Sequence, residues 1–318
     1  MFSILHKTQN GFNKVVLKDE STGSFAEIIP ACGAILHAFN IIKEGRTFNV
    51  IDSYESAVDF NNNVTAKGFK GCKLSPFVCR INKAEYSFGE KKYHIQKFSL
   101  ENNAIHGELY DEPFNVIKEG SNEDKAFVSM KYEYRKKDTG YPFNYDCVVT
   151  YEFEADSKLN VITQVTNQDL DFIPMQDGWH PYFALGNSID GLEVQFHSKE
   201  IAEFNNELIP TRKFLHYRKF NSFKKIGDTI FDNCFLISFA DGEPACILRN
   251  IAEKIQLEIS PGEEYPYLQV YTPPHRKSIA IENLSSIPDA FNNGIGLKIL
   301  SPKETAFFKT SYKITLLP

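Results

Sequence analysis

Two residues of this chain, His180 and Glu282, are of types that move protons when they lie together. His180 stands in the run Asp-Gly-Trp-His-Pro-Tyr-Phe at residues 177–183, and Glu282 follows the apolar, strand-like run 278–281. An imidazole titrates near neutral pH and burial raises the pKa of a carboxyl group, so the two make a natural acid/base pair. The pattern points to proton transfer on a flat, hydroxylated, sugar-like ligand.

More ordinary roles compete with this interpretation. His180 could be a core imidazole bonded to a backbone carbonyl, and an arbitrary glutamate is more often an exposed edge residue. Trp179 and His180 are nevertheless flanked by Gly178 and Pro181, which relax and restrict the backbone. Such control suits a His180 side chain that must keep one orientation. We also expect Trp179 and Tyr182 to contact the ligand.

Three further residues could hold a hydroxylated ligand. His106 precedes a glycine, and a neutral imidazole there could hydrogen-bond a substrate oxygen, although a loop histidine is the commoner explanation. Asp232 opens a strand-like run, where it is either a turn or capping residue or an acceptor for two hydroxyl groups. Arg80 lies among apolar residues, which is unusual for a guanidinium group unless it is paired or binds a ligand.

Composition excludes several classes of protein. A net charge of −6 argues against binding to a phosphate backbone, and no apolar run approaches the ~20 residues that span a bilayer. The first residues lack the layout of a signal peptide, and the six cysteines show no C-x-x-C spacing, so we expect a cytoplasmic protein with reduced, buried thiols. Motifs for phosphate loops, dinucleotides, zinc proteases and serine nucleophiles are absent, and we expect no cofactor and no metal.

The dominant sequence period is two, which predicts β-strands. Apolar and polar residues alternate over residues 147–155, 159–165, 192–197 and 255–259, with short turn clusters between the runs. The high aromatic content, 14%, also favours strands. Two hairpins are expected, one turning at 155–158 and one at 89–92. A short helix over 53–60, capped by Ser53, is the one helix predicted.

Strands that follow strands through short turns favour an all-β fold, a large antiparallel β-sandwich. No linker, low-complexity tract or internal repeat interrupts the chain. We therefore expect a single domain over residues 1–318.

Several segments together resemble the aldose 1-epimerase (galactose mutarotase) family. They are Pro-Phe-Val-Cys-Arg-Ile at 76–81, Ile-His-Gly at 105–107, Gly-Trp-His-Pro-Tyr-Phe at 178–183, Asp-Asn-Cys-Phe at 232–235 and Ile-Ala-Ile-Glu at 279–282. Each segment is weak alone, but their joint order along nearly the whole chain is specific. The resemblance implies a large antiparallel sandwich and interconversion of the α and β anomers of a free aldohexose.

By this resemblance Glu282 is the catalytic base, His180 the catalytic acid and His106 an assisting histidine. Arg80 and Asp232 are implied to hold sugar hydroxyls, and Gln269 is a weaker candidate for the same pocket. The chain departs from the best-known members at Trp179-His180-Pro181 and at Cys79, where asparagine is common. The Trp-His-Pro-Tyr run is closer to a divergent branch of the family.

Three rival functions stay open. A hexose-6-phosphate 1-epimerase would use a basic cluster formed by Lys67, Lys70, Lys73, Arg80 and Lys83, although a solvated lysine-rich loop is the more common explanation. A non-catalytic carbohydrate-binding protein could keep the fold without turnover. A glycoside hydrolase would need two opposed carboxyl groups, for which Asp177, Asp232 and Glu282 are candidates.

The expected partner is a small-molecule sugar. Nothing indicates a nucleic acid or membrane partner, and we expect a monomer or homodimer.

Overall fold

The computed structural model describes residues 1–239 and 242–318, and almost all of its regular elements are β-strands. The first strands are β1 (Phe2–Gln9), β2 (Phe12–Asp19), β3 (Phe25–Ile29), β4 (Ile35–Lys43), β5 (Arg46–Asn49), β6 (Lys73–Leu74), β7 (Arg80–Ile81), β8 (Glu85–Phe88), β9 (Lys91–His94), β10 (Ser99–Leu100) and β11 (Asn103–Ile105). The middle of the chain contains β12 (Asn115–Ser121), β13 (Lys125–Arg135), β14 (Asn144–Glu154), β15 (Lys158–Asn167), β16 (Ile173–Met175), β17 (Gly178–Trp179), β18 (Tyr182–Phe183), β19 (Glu193–Phe196) and β20 (Ser198–Phe204). The last strands are β21 (Pro210–His216), β22 (Lys224–Lys225), β23 (Asp232–Ile237), β24 (Cys246–Asn250), β25 (Ile255–Pro261), β26 (Tyr267–Tyr271), β27 (Ile279–Leu284), β28 (Lys298–Leu300) and β29 (Thr305–Leu316).

These strands form a large antiparallel β-sandwich, which confirms the predicted fold class. A nine-stranded sheet has the order β12-β13-β14-β15-β29-β25-β24-β19-β22. An eight-stranded sheet has the order β21-β20-β23-β26-β27-β17-β6, with β18 also paired to β27. A five-stranded sheet joins β1 to β5 in sequence order.

Alternation of side chains explains the longest strands. In β14 the side chains of Cys147, Val149, Tyr151 and Phe153 are buried, while the residues between them are half-buried. The predicted hairpin at 155–158 is confirmed, because β14 and β15 pair antiparallel on either side of it. The second predicted hairpin is confirmed by the pairing of β8 with β9. All six cysteines are buried and free, as expected.

The predicted helix at residues 53–60 is displaced in the structure. A helix α1 covers Ala57–Asn63, and a short helix α2 covers Ala290–Asn293. The cap of α1 is Ser56 rather than Ser53, because the Ser56 hydroxyl accepts a hydrogen bond from the Asp59 backbone N–H at 3.1 Å. No helix within residues 1–239 or 242–318 is long and apolar enough to cross a membrane.

A buried ion pair joins β6 to the residue that precedes β17. Lys73 and Asp177 are both fully buried, and the Lys73 ammonium lies 2.7 Å from the Asp177 carboxylate. The same ammonium donates to the Gly178 carbonyl at 2.9 Å and lies 4.8 Å from the centre of the Trp179 ring. The Tyr265 hydroxyl also donates to Asp177 at 2.6 Å. These contacts fix the backbone immediately before His180.

We expect the Lys73–Asp177 pair to be strongly coupled in stability. Lys73→Met or Asp177→Asn alone leaves one charge buried without its partner, at a cost of about 3–5 kcal/mol. The double variant removes both charges and keeps an acceptor for Tyr265, so it should cost clearly less than the sum of the single variants. Denaturant unfolding of the four proteins measures this coupling, and additive costs would contradict it.

Candidate active site

Three neighbouring strands of the eight-stranded sheet present polar side chains on one face. In the antiparallel register Glu282 lies directly opposite Gln269, and Gln269 lies opposite Cys234. Because side chains on a strand alternate between faces, Asp232 shares the face of Cys234, and Tyr271 shares the face of Gln269. The Gln269 amide donates to the Asp232 carboxylate at 2.9 Å.

His180 is brought to the same face by the strands on the other side of β27. Gly178 pairs with Leu284 and Tyr182 pairs with Ala280, both two residues from Glu282. Alternation therefore places His180 and Tyr182 on the face of Glu282. The His180 backbone N–H donates to the Cys72 carbonyl at 3.1 Å, and its carbonyl accepts from the Gly71 N–H at 2.8 Å.

His106 and Arg80 reach the site from paired strands outside this sheet. Ile105 of β11 lies opposite Arg80 of β7, and the His106 N–H donates to the Cys79 carbonyl at 3.0 Å. The chain turns sharply after β11, since His106 and Gly107 both have positive φ, +64° and +77°. A Cβ at Gly107 would collide with the backbone of Ser75, so only glycine fits there.

These side chains line a cavity of about 180 Å³. That volume is below the ~300 Å³ at which drug-sized pockets begin, so the cavity suits a small molecule such as one sugar ring. Its lining combines charged and polar side chains with aromatic and apolar ones: Arg80, His106, His180, Asp232, Gln269 and Glu282, with Phe69, Cys79, Ile105, Tyr182, Phe204 and Tyr271.

The candidate acid and base lie within reach of one another. His180 Nε2 is 3.3 Å from Glu282 Oε1, and only 4% and 2% of the two residues' surface is exposed. The His180 ring stacks on Tyr182 with centres 5.1 Å apart and meets the edge of the His106 ring at 4.8 Å. His106 in turn packs against Phe69 at 4.7 Å. The aromatic neighbours hold both imidazoles in place.

Five buried polar atoms around the cavity have no hydrogen-bond partner among the described residues. They are Arg80 Nε, His106 Nδ1, His180 Nδ1, Gln269 Oε1 and Glu282 Oε2. Buried polar groups in proteins are nearly always satisfied, so a cluster of unsatisfied ones around one cavity indicates a polar ligand. Donors and acceptors are both present, as hydroxyl groups require.

A model of the aldose 1-epimerase family matches residues 14–313 of this chain. The chain belongs to the aldose 1-epimerase family. The uncharacterized protein YihR of Escherichia coli (strain K12) is 27% identical over 248 residues, which cover 72% of this chain and 74% of YihR.

Solved structures agree with the family fold. A galactose mutarotase-like protein from Clostridium acetobutylicum superimposes with a TM-score of 0.85 at 19% identity, covering 99% of both chains. Galactose 1-epimerase from Lactobacillus acidophilus NCFM superimposes with a TM-score of 0.81 at 16% identity, covering 100% of this chain and 99% of the other. At such low identity these matches establish the fold of this family member.

Burial shifts the proton affinities of this epimerase-family site in opposite directions. Desolvation raises the pKa of Glu282 well above its usual range, and the nearby Asp232 carboxyl adds to the shift. Desolvation lowers the pKa of His180 to about 3 and places that of His106 well below its usual range. Burial also raises the pKa of Asp232, although the Arg80 guanidinium opposes this.

The structure gathers seven of the eight predicted site residues around the cavity and separates Trp179 from it. Trp179 points away because it alternates with Gly178 and His180, and its indole donates to the Thr163 hydroxyl at 3.3 Å inside the core. Trp179 therefore lies outside the lining of this cavity.

The structure pairs three lysines of the proposed basic cluster with carboxylates. Lys67, Lys70 and Lys73 pair with Asp59, Asp52 and Asp177, each at 2.7 Å. Among the described residues that line the cavity, Arg80 is the one lysine or arginine. Asp177 is sequestered with Lys73, so it cannot serve as the second carboxyl group of a glycoside hydrolase.

Tyr271 and Phe69 are among the cavity residues that the sequence analysis did not predict as site residues. Tyr271 was detectable, because it lies two residues beyond Gln269 on the same strand face. Phe69 gave no signal, since it reaches the cavity from a turn with φ of +56°.

We expect Glu282→Gln to stabilise the fold as pH rises. The folded pKa of Glu282 lies above that of the unfolded chain, ~4.3, so its contribution is complete below that pH. The contribution is lost as pH rises towards the folded pKa, while the glutamine variant lacks this loss. The free energy of unfolding of the variant should therefore exceed that of the wild type by roughly 1–2 kcal/mol at high pH and by less in acid.

Thermal or denaturant unfolding across pH measures this difference. Glu258→Gln, the same substitution in β25 of the nine-stranded sheet, is the matched control. The difference in free energy of unfolding between Glu282→Gln and wild type should grow as pH rises. A difference that shrinks would show that Glu282 is not buried as described.

Proposed function

We propose that the chain is an aldose 1-epimerase that interconverts the α and β anomers of a free aldohexose. The observation that carries this proposal is the buried His180–Glu282 pair, 3.3 Å apart and facing a cavity of monosaccharide size. Membership of the aldose 1-epimerase family supports the same reaction. We also propose that the chain is close to the divergent branch of this family that carries a Trp-His-Pro-Tyr run.

The reaction needs an acid and a base at one carbon. Glu282 takes the proton of the C1 hydroxyl while His180 gives a proton to the ring oxygen. The C1–ring oxygen bond breaks with its electrons passing to that oxygen, and a C1 aldehyde forms. Rotation about C1–C2 and closure on the other face reverse both proton transfers and deliver the other anomer. Because both oxygens are bonded to C1, the acid and base must converge within a few ångströms.

The opposed pKa shifts suit a proton transfer between the two groups. Burial raises the pKa of Glu282 and lowers that of His180 to about 3, so it favours the uncharged form of each. Transfer of a proton from the carboxyl group to the imidazole would produce the carboxylate base and the imidazolium acid together. The two opposite charges then stabilise each other in a site shielded from water.

The remaining lining residues suit sugar hydroxyls. Asp232 accepts hydrogen bonds and is held by Gln269, while the unpartnered Arg80 Nε and Gln269 Oε1 offer a donor and an acceptor. His106, edge-on to His180, supplies a further unpartnered nitrogen. Tyr182, which stacks on His180, also lines the site. We further propose a single-domain, cytoplasmic protein that acts as a monomer or homodimer.

Polarimetry of fresh α-D-glucose and α-D-galactose at low buffer concentration tests the proposed function. Acceleration over the spontaneous rate supports the proposal and ranks the two sugars. Sugar binding without acceleration would instead favour a non-catalytic carbohydrate-binding protein, and release of reducing sugar from a glycoside would favour a hydrolase.

Both members of the acid/base pair should be needed for turnover. We expect Glu282→Gln and His180→Asn each to fold and to lose about 10²–10⁴-fold in kcat, the usual contribution of a positioned proton-transfer group. Glu258→Gln and His216→Asn, which carry the same substitutions outside the cavity, should keep wild-type rates. Full activity in Glu282→Gln or His180→Asn would remove that residue from the mechanism.

Phosphorylated sugars should be poorer substrates than free ones. Lys67, Lys70 and Lys73 are already paired with aspartates, so a phosphate would have to compete with those carboxylates for them. Comparing kcat/KM for glucose and glucose 6-phosphate measures the preference. A higher value for the phosphate would favour a hexose-6-phosphate 1-epimerase.

A further inference from the structure

One end of the cavity brings together three different metal-ligating atoms. The Cys79 Sγ, a His106 ring nitrogen and a Glu282 carboxylate oxygen all lie within 4.8 Å of one another. They come from separate segments: Cys79 precedes β7, His106 follows β11 and Glu282 belongs to β27. All three residues are buried, and the proposed reaction leaves the Cys79 thiol without a task.

Two of these residues line the cavity and have a polar atom without a partner in the described part of the chain. His106 Nδ1 and Glu282 Oε2 are buried and lack a hydrogen-bond partner among the described residues. Each therefore keeps a polar atom available for a ligand. A small cation could be bound by both atoms at once. A hydroxyl group has only one proton to donate to them.

We propose that Cys79, His106 and Glu282 form an inhibitory Zn²⁺ site that overlaps the sugar site. Thiolate sulfur, imidazole nitrogen and carboxylate oxygen are the ligands that zinc takes in proteins, usually in tetrahedral geometry. Bonds of about 2.0–2.3 Å place tetrahedral ligand atoms roughly 3.5 Å apart, so side-chain movements of about 1 Å close the site. The fourth position faces the cavity. Zn²⁺ replaces the Cys79 thiol proton and any proton on the Glu282 carboxyl group, and these protons pass to solvent.

Bound Zn²⁺ would stop the proposed reaction, and this consequence rests on the proposed function. The cation takes the Glu282 carboxylate that must receive the C1 hydroxyl proton, and it occupies space beside His180. A sugar in the cavity would meet the same two side chains, His106 and Glu282. Zinc and sugar should therefore compete for the protein.

Titration calorimetry with ZnCl₂ tests the site without depending on turnover. We expect one Zn²⁺ per chain, and we expect Cys79→Ser to bind at least about 100-fold more weakly, since even outer-shell changes cost 10–100-fold. Cys246→Ser is the matched control, because Cys246 is a buried thiol in β24 of the nine-stranded sheet. It should bind Zn²⁺ as the wild type does.

Turnover gives an independent readout, as the ratio of rates with and without Zn²⁺ for each protein. That ratio should fall for wild type and Cys246→Ser and stay near one for Cys79→Ser. Zinc binding by a chain that shows no epimerase activity would support the site and refute the proposed function separately. No zinc binding by wild type, or equal binding by Cys79→Ser, would overturn the site.

Discussion

The antiparallel register of β17, β26 and β27 is the constraint on which the rest of the site depends. Because side chains alternate strictly between the two faces of a sheet, a slip of one residue would send Glu282 to the opposite face of the sheet. The observed register pairs Glu282 with Gln269 and sets Gly178 opposite Leu284. It thereby points an acid, a base and their polar neighbours into one cavity.

Buried polar groups lie both behind the site and around the cavity, and the two sets have different effects. Behind the site the fully buried Lys73–Asp177 pair also bonds to Tyr265 and to the Gly178 carbonyl, so it fixes the backbone that carries His180. In the cavity, several buried polar atoms are left without protein partners. Such groups cost stability and are retained where a ligand satisfies them. The Lys73–Asp177 pair therefore orients the site, and the unpartnered atoms of the cavity are available to a sugar.

Much of the fold could be predicted from the sequence, because a period of two is visible in the long strands. The hairpins around 155–158 and 89–92 follow from the same signal. The short helix was displaced because Ser53 and Ser56 are equally good caps on sequence grounds, and only the hydrogen bond to Asp59 separates them.

The candidate site was less predictable because its contacts join distant segments. Trp179 lies away from the cavity, and alternation with His180 already indicated the opposite face. The pairing of Lys70 with Asp52 and of Lys73 with Asp177 could not be predicted, because both aspartates are distant in sequence from their lysines. The turn that presents His106 depends on positive φ angles at His106 and Gly107. A positive φ at a histidine cannot be predicted from its residue type.

The most direct measurement is anomer exchange at equilibrium, observed by NMR magnetisation transfer between the α and β anomeric signals of an aldose. The account predicts exchange in the presence of the chain and its loss when Glu282→Gln and His180→Asn are combined. Exchange that survives in the double variant would contradict the assignment of proton transfer to this buried pair, and so would a wild-type chain that binds the sugar without promoting exchange.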